Sequence, residues 1–282
     1  MARPIVASGK LYGSRIADCA GIIFNELGSM SGFSKWRTRT RGESGIQLSE
    51  QGGVRVLHIG NSMVQSAMRL TAPNDLELTY TQCMMGFMLF HSHPENILMI
   101  GLGGGSLAKF VYHRLPLTKT TVIEINPQVV TTARNYFFVP ADGERLQVII
   151  AEGEDYIVNN LASADVLMID GFDGNCQVPS LCSQDFYNRA RETLRKKGML
   201  VVNLLSRDKG LQEYLRRIEN SFDGHVMTMP AEARGNLVAF AFKHNPGRPD
   251  WEELRERAKK LEAEFSLPFP EYVKKLRRGK AL

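Results

Sequence analysis

The sequence predicts an α/β fold: a mainly parallel sheet of seven strands, the last two turned back as an antiparallel hairpin, preceded by a small N-terminal β-hairpin region. Three observations carry that reading. Between residues 97 and 204 short apolar runs alternate with stretches of helical periodicity, the pattern of parallel strands joined by crossover helices and buried on both faces. The first of these runs leads directly into Gly101-Leu102-Gly103-Gly104-Gly105-Ser106 and then a helix, the strand, tight turn and helix N-terminus on which nucleotide cofactors sit. The alternation then breaks, because the apolar runs 226–230 and 237–242 are separated only by residues 231–236. That connection is too short for a crossover helix, so the two strands are antiparallel.

The elements follow in order. The first 50 residues are rich in Gly and Ser, and residues 46–59 read as two alternating strands around Gly52-Gly53, a hairpin signal. Over 76–90 the apolar residues Leu78, Met84, Met85, Met88 and Leu89 fall near helical spacing and His93-Pro94-Glu95-Asn96 closes the segment, which predicts a helix. Strands are expected at 97–100, 121–125, 146–150, 166–169 and 199–204, with crossover helices at 107–114, 127–136, 155–161 and 184–196. Gly198 is expected to stop the last of these helices. A charged amphipathic helix at 251–265 follows the linker Asn245-Pro246-Gly247-Arg248-Pro249. The organisation expected is a β-rich region over 1–75, a catalytic domain over 76–245 and a C-terminal helix and tail over 246–282.

Composition bounds the function. The chain has 282 residues, 43% apolar and 23% charged, enough to bury a large core. Its longest apolar stretches, such as 83–90, fall far short of the roughly 20 residues a bilayer crossing needs. Residues 16–24 follow Arg15 like a secretory apolar region, but Asp18 and Cys19 interrupt it and no small-residue cleavage site follows. Cys19, Cys83, Cys176 and Cys182 form no C-x-x-C pair, so reduced thiols in the cytoplasm are expected. A net charge of +5 is modest for this length and does not argue for nucleic acid. The basic clusters at Lys35, Arg37, Arg39 and Arg41 and at Lys274, Lys275, Arg277, Arg278 and Lys280 read as a solvated edge and a frayed C-terminal helix.

The glycine turn is neither a P-loop nor a complete G-x-G-x-x-G, since Ser106 replaces the last glycine. About 20 residues further on, Glu124 ends the second strand, where a carboxylate accepts the hydroxyls of a cofactor ribose. NAD and S-adenosylmethionine enzymes share that arrangement. Glu152 and Asp170, after the third and fourth strands, line the same rim with further negative charge. Such a rim repels a pyrophosphate and favours a cationic sulfonium. With the terminal hairpin, it fits the Rossmann-like class I methyltransferase architecture better than a dinucleotide domain.

Asp170 and Asp173 stand three residues apart at the exit of a buried strand. Carboxylates there are costly unless they bind cations or exchange protons. An amine substrate has both needs, which casts Asp170 as general base and Asp173 as the holder of an ammonium.

On these residues the sequence resembles the spermidine synthase family of polyamine aminopropyltransferases over residues 46–242. The resemblance rests on residues 57–65, a strand leading to Gln65, on Tyr80, the glycine turn, Glu124, Glu152-Gly153, the Asp170 and Asp173 pair, and Asp185-Phe186-Tyr187 heading the next helix. It implies transfer of an aminopropyl group from decarboxylated S-adenosylmethionine to a small amine such as putrescine, without a metal. It places Glu124 on the donor ribose, Glu152 near the adenine amine, Gln65 near the thioether, Gly101, Gly103, Gly104, Gly105 and Gly153 around the donor, and Asp170 as base. Tyr80 and Asp173 then help to place the amine, and a homodimer through the N-terminal strands is implied. Three positions depart from the family: Gly104 replaces an Asp of the glycine turn that contacts the aminopropyl ammonium, and Thr81-Gln82 replaces a His-Glu pair. A methyltransferase using intact S-adenosylmethionine, or a nucleoside- or polyamine-binding protein without catalysis, are the alternatives.

Overall fold

The computed structural model of the protein describes residues 45–60, 64–173, 176–232 and 235–279, with the backbone alone for Asp173 and Cys176. The 16–24 stretch, Cys19 and the basic cluster at Lys35 to Arg41 lie outside the described residues. In the N-terminal region β1 (Ile46–Gln51) and β2 (Val54–Ile59) pair antiparallel with Gln51 opposite Val54. The two-residue turn between them needs left-handed backbone at both positions, and Gly52 (φ 59°) and Gly53 (φ 76°) supply it. A third strand, β3 (Ser66–Arg69), pairs with β2, so the expected hairpin is a three-stranded sheet. Four residues without alternation give a sequence reader no strand signal.

The segment expected as one helix over 76–90 is α1 (Thr79–Met84) followed by a tighter 3-10 turn, Met85–Leu89. The break brings Gly86 against the sheet, where a Cβ would lie 3.0 Å from both Met229 Cε and Phe240 Cζ.

There follow β4 (Asn96–Ile100), α2 (Ser106–Arg114), β5 (Lys119–Glu124), α3 (Pro127–Phe137), β6 (Leu146–Ile150), α4 (Gly153–Val158) and β7 (Ala164–Ile169). A small ribbon, β8 (Phe172–Asp173) and β9 (Cys176–Gln177), leads to α5 (Gln184–Thr193) and β10 (Leu194–Leu205). The chain continues through α6 (Leu211–Ser221), β11 (Val226–Pro230), β12 (Asn236–Phe242), α7 (Trp251–Phe265) and α8 (Phe269–Arg278). Seven strands form one sheet in the order β11-β12-β10-β7-β4-β5-β6. The five from β6 to β10 are parallel, while β12 runs antiparallel to both β10 and β11. The order reverses between β4 and β7, and a sheet of this kind opens its ligand crevice at the carboxyl ends of such a pair.

Period-two alternation divides the core. On β4, Ile97 and Met99 pack with α1, α2, α3, α7 and α8, and Leu98 and Ile100 with α4, α5 and α6. Ser183 caps α5 by accepting the Phe186 N–H, and Asn126 caps α3 by accepting the Gln128 N–H. No helix among the described residues is long and apolar enough to cross a membrane.

Two expectations are corrected. The helix expected over 184–196 ends at Thr193, and Gly198 lies inside β10, not at a helix end. It is needed there for close approach: a Cβ would stand 3.0 Å from Arg195 O and 3.1 Å from Ala164 O, where the pairing with β7 shifts register. The C-terminal stretch expected to fray is α8, which buries Phe269, Tyr272, Val273 and Leu276. Nothing was expected over 211–221, although Leu211, Leu215 and Ile218 carry the helical period of α6.

Candidate active site

The carboxyl ends of β4, β5, β6 and β7 open into one cavity of about 390 Å³, lined also by Gln65, Ser66, Tyr80, and residues 171, 172, 178, 180 and 181 beyond β7. At its centre the glycine turn brings two backbones together. Gly101 has φ 96°, and a Cβ on it would lie 2.3 Å from Asp170 O. No side chain is tolerated at that approach.

Glu124, the last residue of β5, is 8% exposed and lines the cavity. Its Oε2 accepts the Leu102 N–H at 2.9 Å and its Oε1 the Asn126 N–H at 2.9 Å. The carboxylate is thereby fixed across the glycine turn, with its remaining lone pairs free for hydroxyls of a ligand. Glu152, exposed at the start of α4, lines the same cavity together with Gly153. A Cβ on Gly153 would lie 2.6 Å from Ile100 Cγ2, so this glycine lets α4 close onto β4.

Asp170 follows β7. Its Oδ1 accepts from Asn203 Nδ2 at 2.8 Å and its Oδ2 from the Tyr80 hydroxyl at 3.2 Å. Burial raises the carboxyl above the usual range, and the two hydrogen bonds act in the opposite direction. Burial also raises the Tyr80 phenol well above its ordinary value, with the Asp170 charge adding to the effect. A carboxyl lifted in this way and open to a cavity is suited to taking up a proton.

The structure thus gathers Gln65, Tyr80, Gly101, Gly103, Glu124, Glu152, Gly153 and Asp170 around one space. The side chain of Asp173 lies outside the described residues; its backbone lies in β8, which pairs with β9. Gly104 and Gly105 are not among the lining residues. Gly104 is buried beneath the turn, where a Cβ would meet Ser66 Oγ at 2.7 Å and Phe137 Cδ1 at 3.0 Å. Gly105 (φ 70°) packs on Val139 at the start of α2. Thr81 lines the cavity, while Gln82 turns its amide to Leu76 O. Sequence reasoning missed Ser66, Ser106 and Asn203. Ser66 and Ser106 set their hydroxyls 3.3 Å apart, on chain segments that no local pattern links.

The lining is electrostatically one-sided. Glu124, Glu152 and Asp170 contribute carboxyl groups, and among the described lining residues there is no Lys, Arg or His. Ile100, Leu102, Ile123, Ile125, Val129 and Leu181 supply apolar wall. A phosphorylated ligand is disfavoured in such a space and a cationic one with an apolar body is favoured.

Comparison with known proteins places the chain in a family. Residues 77–231 match the model of the spermine/spermidine synthase domain. The chain is 41% identical over 233 residues to a polyamine aminopropyltransferase of Chromobacterium violaceum, covering 83% of this chain and 89% of that protein. Among solved structures, a spermidine synthase in complex with the transition state analogue AdoDATO superposes with a TM-score of 0.66 at 22% identity, over 82% of this chain and 80% of the other. Human methyltransferase-like protein 13 in complex with SAH superposes with a TM-score of 0.57 at 28% identity, over 67% and 89%.

Proposed function

The chain belongs to the spermine/spermidine synthase family, and from that premise we propose that it transfers an aminopropyl group from decarboxylated S-adenosylmethionine to a polyamine or another small amine such as putrescine. The observation that carries the reading is the cavity at the switch point of the sheet, rimmed by carboxyl groups with no basic side chain among its described lining residues. The donor is a sulfonium without phosphate and the acceptor is an ammonium, and both suit that rim.

The bound donor supplies an electrophilic carbon: the amine nitrogen bonds to it as the carbon–sulfur bond breaks, the electron pair returns to sulfur in 5′-methylthioadenosine, and the amine proton passes to Asp170. Glu124, held by two backbone N–H groups, accepts from the ribose hydroxyls. Glu152 faces the adenine amine and Gln65 the thioether. Asp170 recruits the ammonium and takes its proton, Tyr80 orients the carboxyl through its hydroxyl, and Asp173 steadies the amine. Holding two reactants in line contributes on the order of 7 to 11 kcal/mol at best, and general base catalysis about a further 10²- to 10⁴-fold. The same reading has the enzyme acting as a homodimer in the cytoplasm.

The test is turnover together with calorimetric binding. Wild-type protein with the decarboxylated donor and putrescine is expected to release methylthioadenosine. Asp170→Asn is expected to lose at least about 10²-fold in turnover while still binding methylthioadenosine; near-normal turnover contradicts the role of Asp170. One observation favours a second reading. The cavity wall beside the glycine turn is formed by the neutral hydroxyls of Ser66 and Ser106, with no acid in the turn itself, which leaves nothing there to repel the carboxylate of intact S-adenosylmethionine. Tighter binding of intact than of decarboxylated donor, with methyl transfer to the amine, selects that reading.

A further inference from the structure

Asn203 is an amide where the strand calls for an apolar side chain. On β10 the alternate residues Met199 and Val201 belong to the hydrophobic cluster on one face of the sheet, and Asn203 continues that row at 1% exposure. A polar group so buried is costly unless its hydrogen bonds are made. Here Nδ2 donates to Asp170 Oδ1 at 2.8 Å, and Oδ1 accepts from Asn236 Nδ2 at 2.8 Å. The backbone carbonyl of Asn203 accepts from Gln177 Nε2 at 2.7 Å, and Gln177, itself 3% exposed, is the last residue of the ribbon that leads to the cavity-lining Val178, Ser180 and Leu181.

The Asp170 carboxylate fixes the amide, and the Asn236 contact satisfies its oxygen. Rotated by half a turn, Asn203 would present oxygen to the Asp170 carboxylate, a repulsion that turning the Asn236 amide does not relieve. The donor end is therefore turned to Asp170 while that carboxyl is ionised. With the Tyr80 hydroxyl on Oδ2, each carboxyl oxygen is held from one side and keeps its remaining lone pairs for the cavity.

We propose that Asn203 is a positioning residue for the proton-accepting carboxyl of Asp170, that Asn236 supports it by satisfying its amide oxygen, and that its carbonyl ties the cavity-lining segment after Gln177 to the same point. The inference rests on Asp170 being the base. Among the described residues, Tyr80 on α1 is the titratable group hydrogen-bonded to Asp170. Glu124 at the end of β5 and Glu152 before α4 face the same cavity, and Asp173 follows on β8. Each of these residues is retained when Asn203 is replaced, and the amine's own titration contributes equally to every profile.

The experiment is the pH dependence of kcat/KM for the decarboxylated donor and putrescine, measured for the wild type, Asn203→Leu, Asn236→Ala and Asp170→Asn, with melting temperature and methylthioadenosine binding as controls. Asn203→Leu keeps the side-chain shape and removes the donor. It is expected to lower kcat/KM at neutral pH on the order of tenfold and to move the acid limb upward by about one pH unit, since a hydrogen bond favouring the charged carboxylate is lost. Methylthioadenosine binding is expected to stay within about threefold. Asn236→Ala, at the start of β12, is expected to move the limb the same way by a smaller amount. An acid limb unmoved in Asn203→Leu, even with slower turnover at every pH, reduces Asn203 to packing and overturns the proposal. Should Asn203→Leu fail to fold, an unmoved limb in Asn236→Ala overturns it equally. Full activity in Asp170→Asn brings down the assignment of the base itself, a result distinct from either of these.

Discussion

Lys109 places a charge in the interior, and among the described residues no carboxylate is paired with it. It is 1% exposed on α2, and its ammonium donates to Pro73 O at 2.7 Å and approaches Met68 Sδ at 3.1 Å. Burial lowers it from the ordinary 10.5 to about 8. The folded state then binds this proton less tightly than the unfolded chain does, so stability rises with pH across the interval from about 8 to 10.5 and is lost as pH falls through it. In urea unfolding the wild type is expected to gain on the order of 2 to 3 kcal/mol relative to Lys109→Met across that interval. Parallel curves for the two proteins would mean that the ammonium is solvated. The same scale shows what a sequence offers about individual groups. Glu124 and Asp170 are legible as acids at strand ends, where side chains have a cavity to face. Asn203 is not, because its meaning comes from Asp170, 33 residues away, and from a strand pairing that no local pattern encodes.

The glycine turn is the element on which the cavity depends, and its glycines are unequal. At Gly101 a methyl group would strike Asp170 O at 2.3 Å, whereas at Gly103, also left-handed at φ 52°, nothing stands nearer than 3.9 Å. Both positions carry the penalty of positive φ, and only the first adds a backbone collision between β4 and β7. Thermal unfolding is expected to show Gly101→Ala losing about 2 to 4 kcal/mol and Gly103→Ala about 1 kcal/mol. Calorimetry is expected to show loss of methylthioadenosine binding in the first variant alone. Equal behaviour of the two would remove the argument that the switch point is held by close approach. The boundary between α5 and β10 gives the corresponding lesson for Gly198. Its type suggested a helix stop, but the close carbonyls of Arg195 and of Ala164 on the neighbouring strand are what favour glycine there.

Across the molecule the C-terminal helices are part of the main core. Leu254, Ala258, Leu261 and Phe265 of α7 and Phe269, Tyr272, Val273 and Leu276 of α8 share one hydrophobic cluster with β4, β10 and β12. Phe269 is fully buried, so Phe269→Ala is expected to cost about 3 to 5 kcal/mol in chemical denaturation. A cost below about 1 kcal/mol would mean that this helix is peripheral to the fold.

By itself the sequence determined the alternation of strands and helices, the terminal hairpin, the glycine turn and the acids at the strand ends. Each of these is written in local periodicity or in a residue type that only a few backbone geometries accept. The order in which the strands lie side by side, the third strand of the N-terminal sheet and the two bonds that hold the Asp170 carboxyl were decided by tertiary structure. They depend on which distant segments come within hydrogen-bonding reach, and a buried polar group acquires its partners only when the sheet that brings them there has closed around it.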